Sequence, residues 1–534
     1  MKLLKNIFLA GLAAAVFTSC NKEINDLQHD PNKATTVTPD LILGAVLKDI
    51  SGTGKEGALG GINSWDNVHK YNQYFLGAYG YYGDNQYNWQ SGSFDSYIAL
   101  KNVVQMEKEA TTRGLPAVNP YEAIGKFTRA WYFYNLSSMM GDIPLTDALQ
   151  SINNPTPSYT PQKEVFKYVL NILDTANTHF ASLINEGNNT IAGSVQDIYF
   201  NGDLRKWQKT VNSFKLRVLM ALSKKASDAD LNVPGQFAAI VNNPTKYPVF
   251  TSQADDFKFT YVPTYNQYAL HANNFGSTSS RYGMAQTYIK TLTDLKDPRV
   301  FVTAEPAWKI VDSLNLNPTN FSAFVGESTG QSIDIIETEA SARLFSFINR
   351  KRYYSTFTGE PDVLIGYKEL CFNMAEAINR GWITGDAEAW YKKGIVESMN
   401  FYGIDVAQSN FTAYFLKSGG LSNIAPYPFT FNFTDYYNQP AVKYAGGTTG
   451  LQQILVQKYL AFFQNSGWEA YFNYRRTSMP SFQGGTGVGN NGIIPLRWGY
   501  PAAEQNQNGA NYKATLDAQY GGSNGINGVM WLIK

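Results

Sequence analysis

ELCFNMAEAINRGWITGDAEAWYKKGIVESMNFY, residues 369–402, decides the fold class of this 534-residue chain. Leu370, Met374 and Ile378 recur at four-residue spacing and lay one apolar stripe along a helix. Gly381 ends that helix. A second runs from about Asp386 to Tyr402. Between them Gly381-Trp382 and Gly385-Asp386-Ala387 form a short glycine-containing turn. The segment therefore predicts two antiparallel helices with small residues at their crossing, the logic of a helix-pair repeat unit.

Helical stripes recur on both sides of this pair. Ile124, Phe127, Trp131 and Tyr134 are spaced at three and four. Val165, Val169, Ile172, Leu173, Ala176, Phe180 and Leu183 form another stripe, with Pro161 at its start and Thr160 placed to cap it. Trp207, Val211, Phe214, Val218 and Leu222 make a third, and a further helix runs from about Leu451 to Gln464. All are read as core-facing. Long irregular stretches rich in Gly, Asn, Tyr and Pro intervene near 50–98, 228–360, 403–448 and 478–534. Loops of this length in a compact protein carry function or minor structure. The expected fold is mostly α, with tetratricopeptide-like helix pairs packed against a loop-rich half with minor β structure.

The N-terminus reads as an export signal. Lys2 and Lys5 precede an uncharged run from Ile7 to Phe17, about eleven residues and too short to span a bilayer. Phe17-Thr18-Ser19-Cys20 then resembles a lipobox, with Phe17 and Ser19 where Leu and Gly or Ala are commoner. Residues 1–19 are expected to be a lipoprotein signal peptide, Cys20 the lipidated residue (palmitate included), and 20–38 a polar tether containing Asp30-Pro31-Asn32. Residues 39–534 are expected to form a single body.

Composition narrows the function. Removing residues 1–19 removes two lysines and no acid, which leaves 42 basic against 43 acidic residues. That balance argues against nucleic acid, which needs a basic surface. Aromatics make up 14% of the chain and charged residues only 16%, so neutral amides, hydroxyls and aromatic rings dominate. Such surfaces stack on sugar rings or peptide planes and hydrogen-bond the rest. Cys371, in an apolar helical setting, is expected in the core. The four histidines show no zinc spacing. Gly52-Thr53-Gly54-Lys55 lacks the upstream glycine of a phosphate loop, and Glu56 stands where Ser or Thr should be. No nucleophile elbow, dinucleotide fingerprint or calcium-loop spacing is present. No cofactor and no metal are expected, and an enzyme is not the favoured class. Paired glycosidase carboxylates have no local spacing rule, so a glycan-active hydrolase stays as an alternative.

Four passages, in order, resemble one family. They are Ile124–Trp131 leading into Met140-Gly141-Asp142-Ile143-Pro144-Leu145, the 369–402 helix pair, the block from Gln457-Lys458-Tyr459 through Trp468-Glu469-Ala470 to Arg475-Arg476-Thr477-Ser478-Met479-Pro480, and Arg497-Trp498-Gly499-Tyr500-Pro501 with Glu504 and Asn508. Together they resemble the SusD/RagB family of nutrient-binding outer-membrane lipoproteins, and the Asp30-Pro31-Asn32 tether fits its SusD-like subgroup. Asn473 or Tyr474 stands near the family's usual acid. The resemblance implies display at the outer membrane, facing outward, beside a SusC-like TonB-dependent barrel over which the protein sits as a lid. It implies an oligosaccharide ligand, or a peptide as in the RagB branch. It also implies that Arg475, Arg476 and Glu504 satisfy buried polar groups and are not catalytic.

Ligand contacts in that family come from variable loops, so the candidates here rest on chemistry. Tyr71–Trp89 is aromatic-rich and broken by Gly77, Gly80 and Gly83, which prevent a stable helix. Contact by at least two of Tyr81, Tyr82, Asn85, Tyr87 and Trp89 is expected, with packing of the loop onto the body as the competing reading. Tyr261–Tyr282 mixes aromatics, amides and a cation, and supplies Tyr265, Tyr268, His271, Asn273, Arg281 and Tyr282. Arg350-Lys351-Arg352 could meet an acidic ligand, but a solvated face is the favoured reading of those cations.

Overall fold

The computed structural model describes residues 37–52, 61–187, 191, 196–420 and 422–534. The expected signal peptide, Cys20 and nearly all of the expected tether lie outside the described residues. The principal helices are α1 (Pro39–Ser51), α2 (Ser96–Thr112), α3 (Pro120–Met140), α4 (Gln162–Asn185), α5 (Leu204–Ala221), α6 (Ile333–Ser341), α7 (Tyr367–Asn379), α8 (Ala387–Phe401), α9 (Gly447–Ala461), α10 (Glu469–Thr477) and α11 (Gly509–Tyr520). Strands are short: β1 (Phe75–Gly77), β2 (Ile143–Pro144), β3 (Tyr159–Thr160), β4 (Phe257–Phe259), β5 (Tyr282–Met284), β6 (Asp362–Ile365), β7 (Asn410–Leu416) and β8 (Ile424–Thr430). They pair as β1–β5, β2–β3, β4–β6 and β7–β8, all antiparallel.

Helices pack in sequential pairs: α1 on α2, α2 on α3, α3 on α4 and α4 on α5. The pair predicted from residues 369–402 is α7 and α8, and both lie against α9. Gly394 is where the two cross. A Cβ there would stand 2.7 Å from the Phe372 ring, so only glycine permits the approach. Gly381 closes α7 at φ 73°, and the Asp386 side chain caps α8 by accepting from Ala389 N at 2.9 Å.

The central helix is α3. Asn119 caps it, Pro120 opens it, and Gly141 ends it at φ 102°. It is buried on nearly every face, which its sequence predicts by carrying apolar and aromatic residues all round. The turn after it differs from the sequence expectation in one detail. Thr160 does not cap α4; Pro161 occupies the cap position without a side-chain bond. Asp142 reaches across instead and accepts from Gln162 N at 2.7 Å. Burial pushes the Asp142 carboxyl up to about 6, with the Gln162 amide pulling the other way. The Gly141-Asp142-Ile143-Pro144 turn therefore joins the end of α3 to the start of α4.

The stretches read as irregular hold short helices and the small sheets. Among these sheets, β1 and β5 pair Phe75 with Met284, Leu76 with Gly283 and Gly77 with Tyr282. A segment near residue 80 is thereby fixed beside a segment near residue 280. Among the described residues no helix is long and apolar enough to cross a membrane.

Candidate ligand-binding site

The β1–β5 pairing brings the two candidate loops together at one edge. Ala78 N donates to Arg281 O at 2.8 Å just beyond the paired residues. The chain then turns through Gly80–Tyr82 as a single tight helical turn. That turn is held from two sides. Asn85 Nδ2 donates to Gly77 O at 3.1 Å while its Oδ1 accepts from Gly77 N at 2.7 Å. Glu337 on α6 accepts from Gly80 N at 3.1 Å.

This scaffold pushes three tyrosines outward. Tyr81 is 82% exposed, Tyr82 48% and Tyr79 40%. Tyr81 and Tyr82 meet edge to face at 5.1 Å, and the Arg281 guanidinium lies 3.7 Å above the Tyr82 ring. Together these rings form an exposed aromatic patch whose faces are open to solvent.

Close to the cluster is a cavity of about 210 Å³. Ser279 and Ser280 line it and lead directly into Arg281. Its aromatic walls are Phe275, Trp308, Phe345 and Phe347, and Arg343 stands on its lining. Phe345 and Phe347 stack at 5.2 Å. Gly283 of β5 lets this wall close, because a Cβ there would fall 2.5 Å from the Phe345 ring. Glu305 is the carboxylate of the lining, and both its oxygens are engaged. They accept from Arg350 N at 2.8 Å and Leu416 N at 2.9 Å. Burial pushes this carboxyl up to about 7 against those two donors. Stacking faces, hydroxyls and guanidinium groups suit binding of a polar ring.

The remaining sequence candidates go elsewhere. Tyr87 is buried and donates to Tyr71 O at 2.8 Å. Trp89 stacks on Trp498 at 3.9 Å and shares a second cleft, of about 290 Å³, with Tyr71 and Trp468. The rings of that cleft are packed mainly on one another. Tyr268 is buried and its hydroxyl accepts from Trp65 Nε1 at 2.8 Å. Tyr282 is half-buried and set edge-on to Phe75 at 5.1 Å. His271 is half-buried with its ring 4.9 Å from Phe357, and Asn273 is exposed in the next turn. Tyr265 is 94% exposed on its loop. Of the candidates, the structure joins Tyr81, Tyr82 and Arg281.

The Arg350–Arg352 run is not a solvated face. Arg352 pairs with Glu360 and donates to Tyr402 O at 2.9 Å, and Arg350 lies 3.8 Å over the Phe275 ring. Lys351 alone is exposed. Trp308, Phe275, Phe345, Phe347 and Arg343 had no sequence signal of their own. They come from three short segments, around 275, 308 and 343–347, that meet only in the fold.

One residue that could carry other chemistry is structural. Cys371 is buried, and burial pushes its thiol up to about 12, which leaves it unreactive at neutral pH. Among the described residues no group of three or more His, Cys, Asp or Glu side chains could hold a metal.

A family model described as "Starch-binding associating with outer membrane" matches residues 31–501. The chain belongs to the SusD-like family. Solved relatives agree along almost the whole chain. A SusD homologue from Bacteroides fragilis is 28% identical, with a TM-score of 0.78, covering 93% of this chain and 100% of its own. A second from the same organism is 29% identical, with a TM-score of 0.75 and the same coverage. A chitin-binding SusD homologue from Flavobacterium johnsoniae shares the fold at 18% identity and a TM-score of 0.68, over 93% of this chain and 98% of its own. No curated protein sequence matches the chain.

The SusD-like motif residues hold the body together. Arg475 donates to Leu496 O at 2.7 Å and Ser138 O at 2.6 Å. Arg476 pairs with Glu376 of α7. Glu504 accepts from Tyr159 at 2.7 Å.

Proposed function

We propose that this SusD-like protein captures an oligosaccharide at the cell surface and passes it to a SusC-like TonB-dependent barrel in the outer membrane. Lipid on Cys20 and the polar tether keep the body, residues 39–534, beside its partner. The observation that carries the binding reading is the exposed Tyr81–Tyr82–Arg281 cluster beside a cavity walled by four aromatic rings. The starch binding named for the family and the chitin binding named for a structural relative point to a glycan over a peptide. Binding without turnover fits Glu305, whose oxygens are both held by backbone donors.

Each stacked ring contributes about 0.5–1.5 kcal/mol beyond area burial. Several are needed for micromolar affinity, about −8 kcal/mol. Calorimetry of the mature protein against glycan and peptide panels tests the function. A glycan should bind, and Tyr81→Ala should weaken it by roughly two- to twelvefold, the equivalent of one stacking contact. Heat with peptides alone, or glycan turnover, would sink the reading. Cys20→Ser should abolish palmitate incorporation and release the protein from the membrane fraction, and normal membrane retention of that variant would refute the anchor. Co-purification with a barrel from detergent extracts tests the partner.

A further inference from the structure

The arginines of this protein divide unevenly. Seven of the described ones sit within ion-pair distance of a carboxylate. Arg475 and Arg497 are buried and spend their donors on internal acceptors such as Leu496 O and Gly525 O. Arg205 is exposed in the first turn of α5. The other three without a carboxylate partner among the described residues, Arg281, Arg343 and Arg350, gather around the cavity beside Tyr82. Arg343 lines it, Arg350 lies 3.8 Å over its Phe275 wall, and Arg281 comes directly after Ser279 and Ser280 on its lining.

The nearby acids form no ion pair with them, although the Glu305 carboxylate attracts Arg350 electrostatically. Glu305 is buried with both oxygens on backbone amides. Glu337 faces the Gly80 amide, and Glu339 and Glu327 are bonded to each other. Three guanidinium groups outside any ion pair among the described residues, two of them lying over aromatic rings, are prepared for planar anions, which they can grip through paired hydrogen bonds.

We infer that the ligand of this cavity is an acidic oligosaccharide, whose uronate carboxylates or sugar sulfates meet Arg281, Arg343 and Arg350. The inference rests on the cavity being the ligand site. It adds that charge, as well as ring stacking, selects the cargo.

The test is calorimetry of the mature protein with tetragalacturonate and a chondroitin sulfate tetrasaccharide, against cellotetraose, chitotetraose and tetraglutamate. At least one anionic glycan should bind about tenfold or more tightly than the neutral ones, and its affinity should fall as salt rises. Arg343→Ala and Arg281→Ala should each weaken it by about tenfold, and Arg343→Lys by less, because lysine keeps the charge but not the fork. Circular dichroism confirms that the variants fold. Equal or tighter binding of neutral glycans, or failure of both anionic ones, overturns the inference, as does tetraglutamate binding in their place. The two readings fail separately. Neutral binding that Trp308→Ala weakens preserves the cavity as the site and refutes the charge selection. Anionic binding that neither Trp308→Ala nor Arg343→Ala alters refutes the cavity and the inference built on it.

Discussion

Glu376→Gln is expected to destabilise the folded protein by about 3–5 kcal/mol at pH 7, the cost of leaving a buried cation without its partner. Glu376 is fully buried on α7. It accepts from both terminal nitrogens of Arg476 on α10 and from Arg380 Nε at 2.9 Å. Arg476 also donates to Ser223 at 2.8 Å, just beyond α5, and to Asn473 at 2.7 Å. One carboxylate thus ties α7 to α10 and, through Arg476, to the end of α5. Glutamine keeps the volume and one acceptor, but Arg476 is then charged, buried and unpaired.

The same pair sets an acid dependence. Burial pushes the Glu376 carboxyl up, but the Arg476 charge and its hydrogen bonds, with Lys458 and Arg380, pull harder and leave it at about 2. The ordinary glutamate value is about 4.5. Folding therefore favours the ionised form. Its contribution is fully present above the unfolded value and is lost as pH falls from about 4.5 towards 2. Chemical denaturation at pH 7 and pH 3 should show a smaller pH difference for Glu376→Gln than for the parent protein. A loss under about 1 kcal/mol at pH 7, well below the cost of an unpaired buried charge, or an unchanged acid slope, would refute this account.

The helical body was legible in the chain because its signals are local. The apolar spacing of Leu370, Met374 and Ile378, the stop at Gly381 and the helix after it all reappear within a few residues of their expected bounds. The cap of α4 was not legible. Its donor meets Asp142, twenty residues upstream, and no spacing rule selects that partner over the adjacent Thr160. Inside 228–360 the helices are short, as in Gln286–Asp294 and Ile333–Ser341, so their stripes span only two or three turns. Periodicity needs more length than that to separate helix from loop.

The site divides along the same line. Tyr81 and Tyr82 were legible because glycines flank them and no helix could hide their rings. Tyr87 and Trp89 carry the same residue types a few positions on, yet they are buried. What separates the two pairs is the grip of Asn85 on Gly77, which sends the chain outward before it and inward after it. Arg281 was named from its composition-rich loop, but its place over Tyr82 depends on the β1–β5 pairing, a contact across about two hundred residues. Long-range pairings of this kind leave no trace in local sequence.

Trp308→Ala is expected to weaken ligand binding by about 2 kcal/mol or more, roughly thirtyfold, with the protein still folded. Tryptophan is the residue most enriched among positions whose truncation costs this much, because it offers a large rigid face at low entropic cost. Trp308 is half-buried at the start of a short helix, 6.5 Å from Tyr427 of β8; it packs at the edge of the core and also forms one wall of the cavity. Tyr81, by contrast, is 82% exposed and lacks the desolvation that strengthens a stacking contact, so its truncation should cost less. Trp308→Phe should recover most of the lost affinity, since a smaller aromatic face still stacks. The order parent, Trp308→Phe, Trp308→Ala in calorimetric affinity, not tracked by the melting temperature, identifies a stacking wall. Equal losses in the two variants, or a melting temperature that falls in step with affinity, would mean that Trp308 supports the loops and leaves the ligand to other residues.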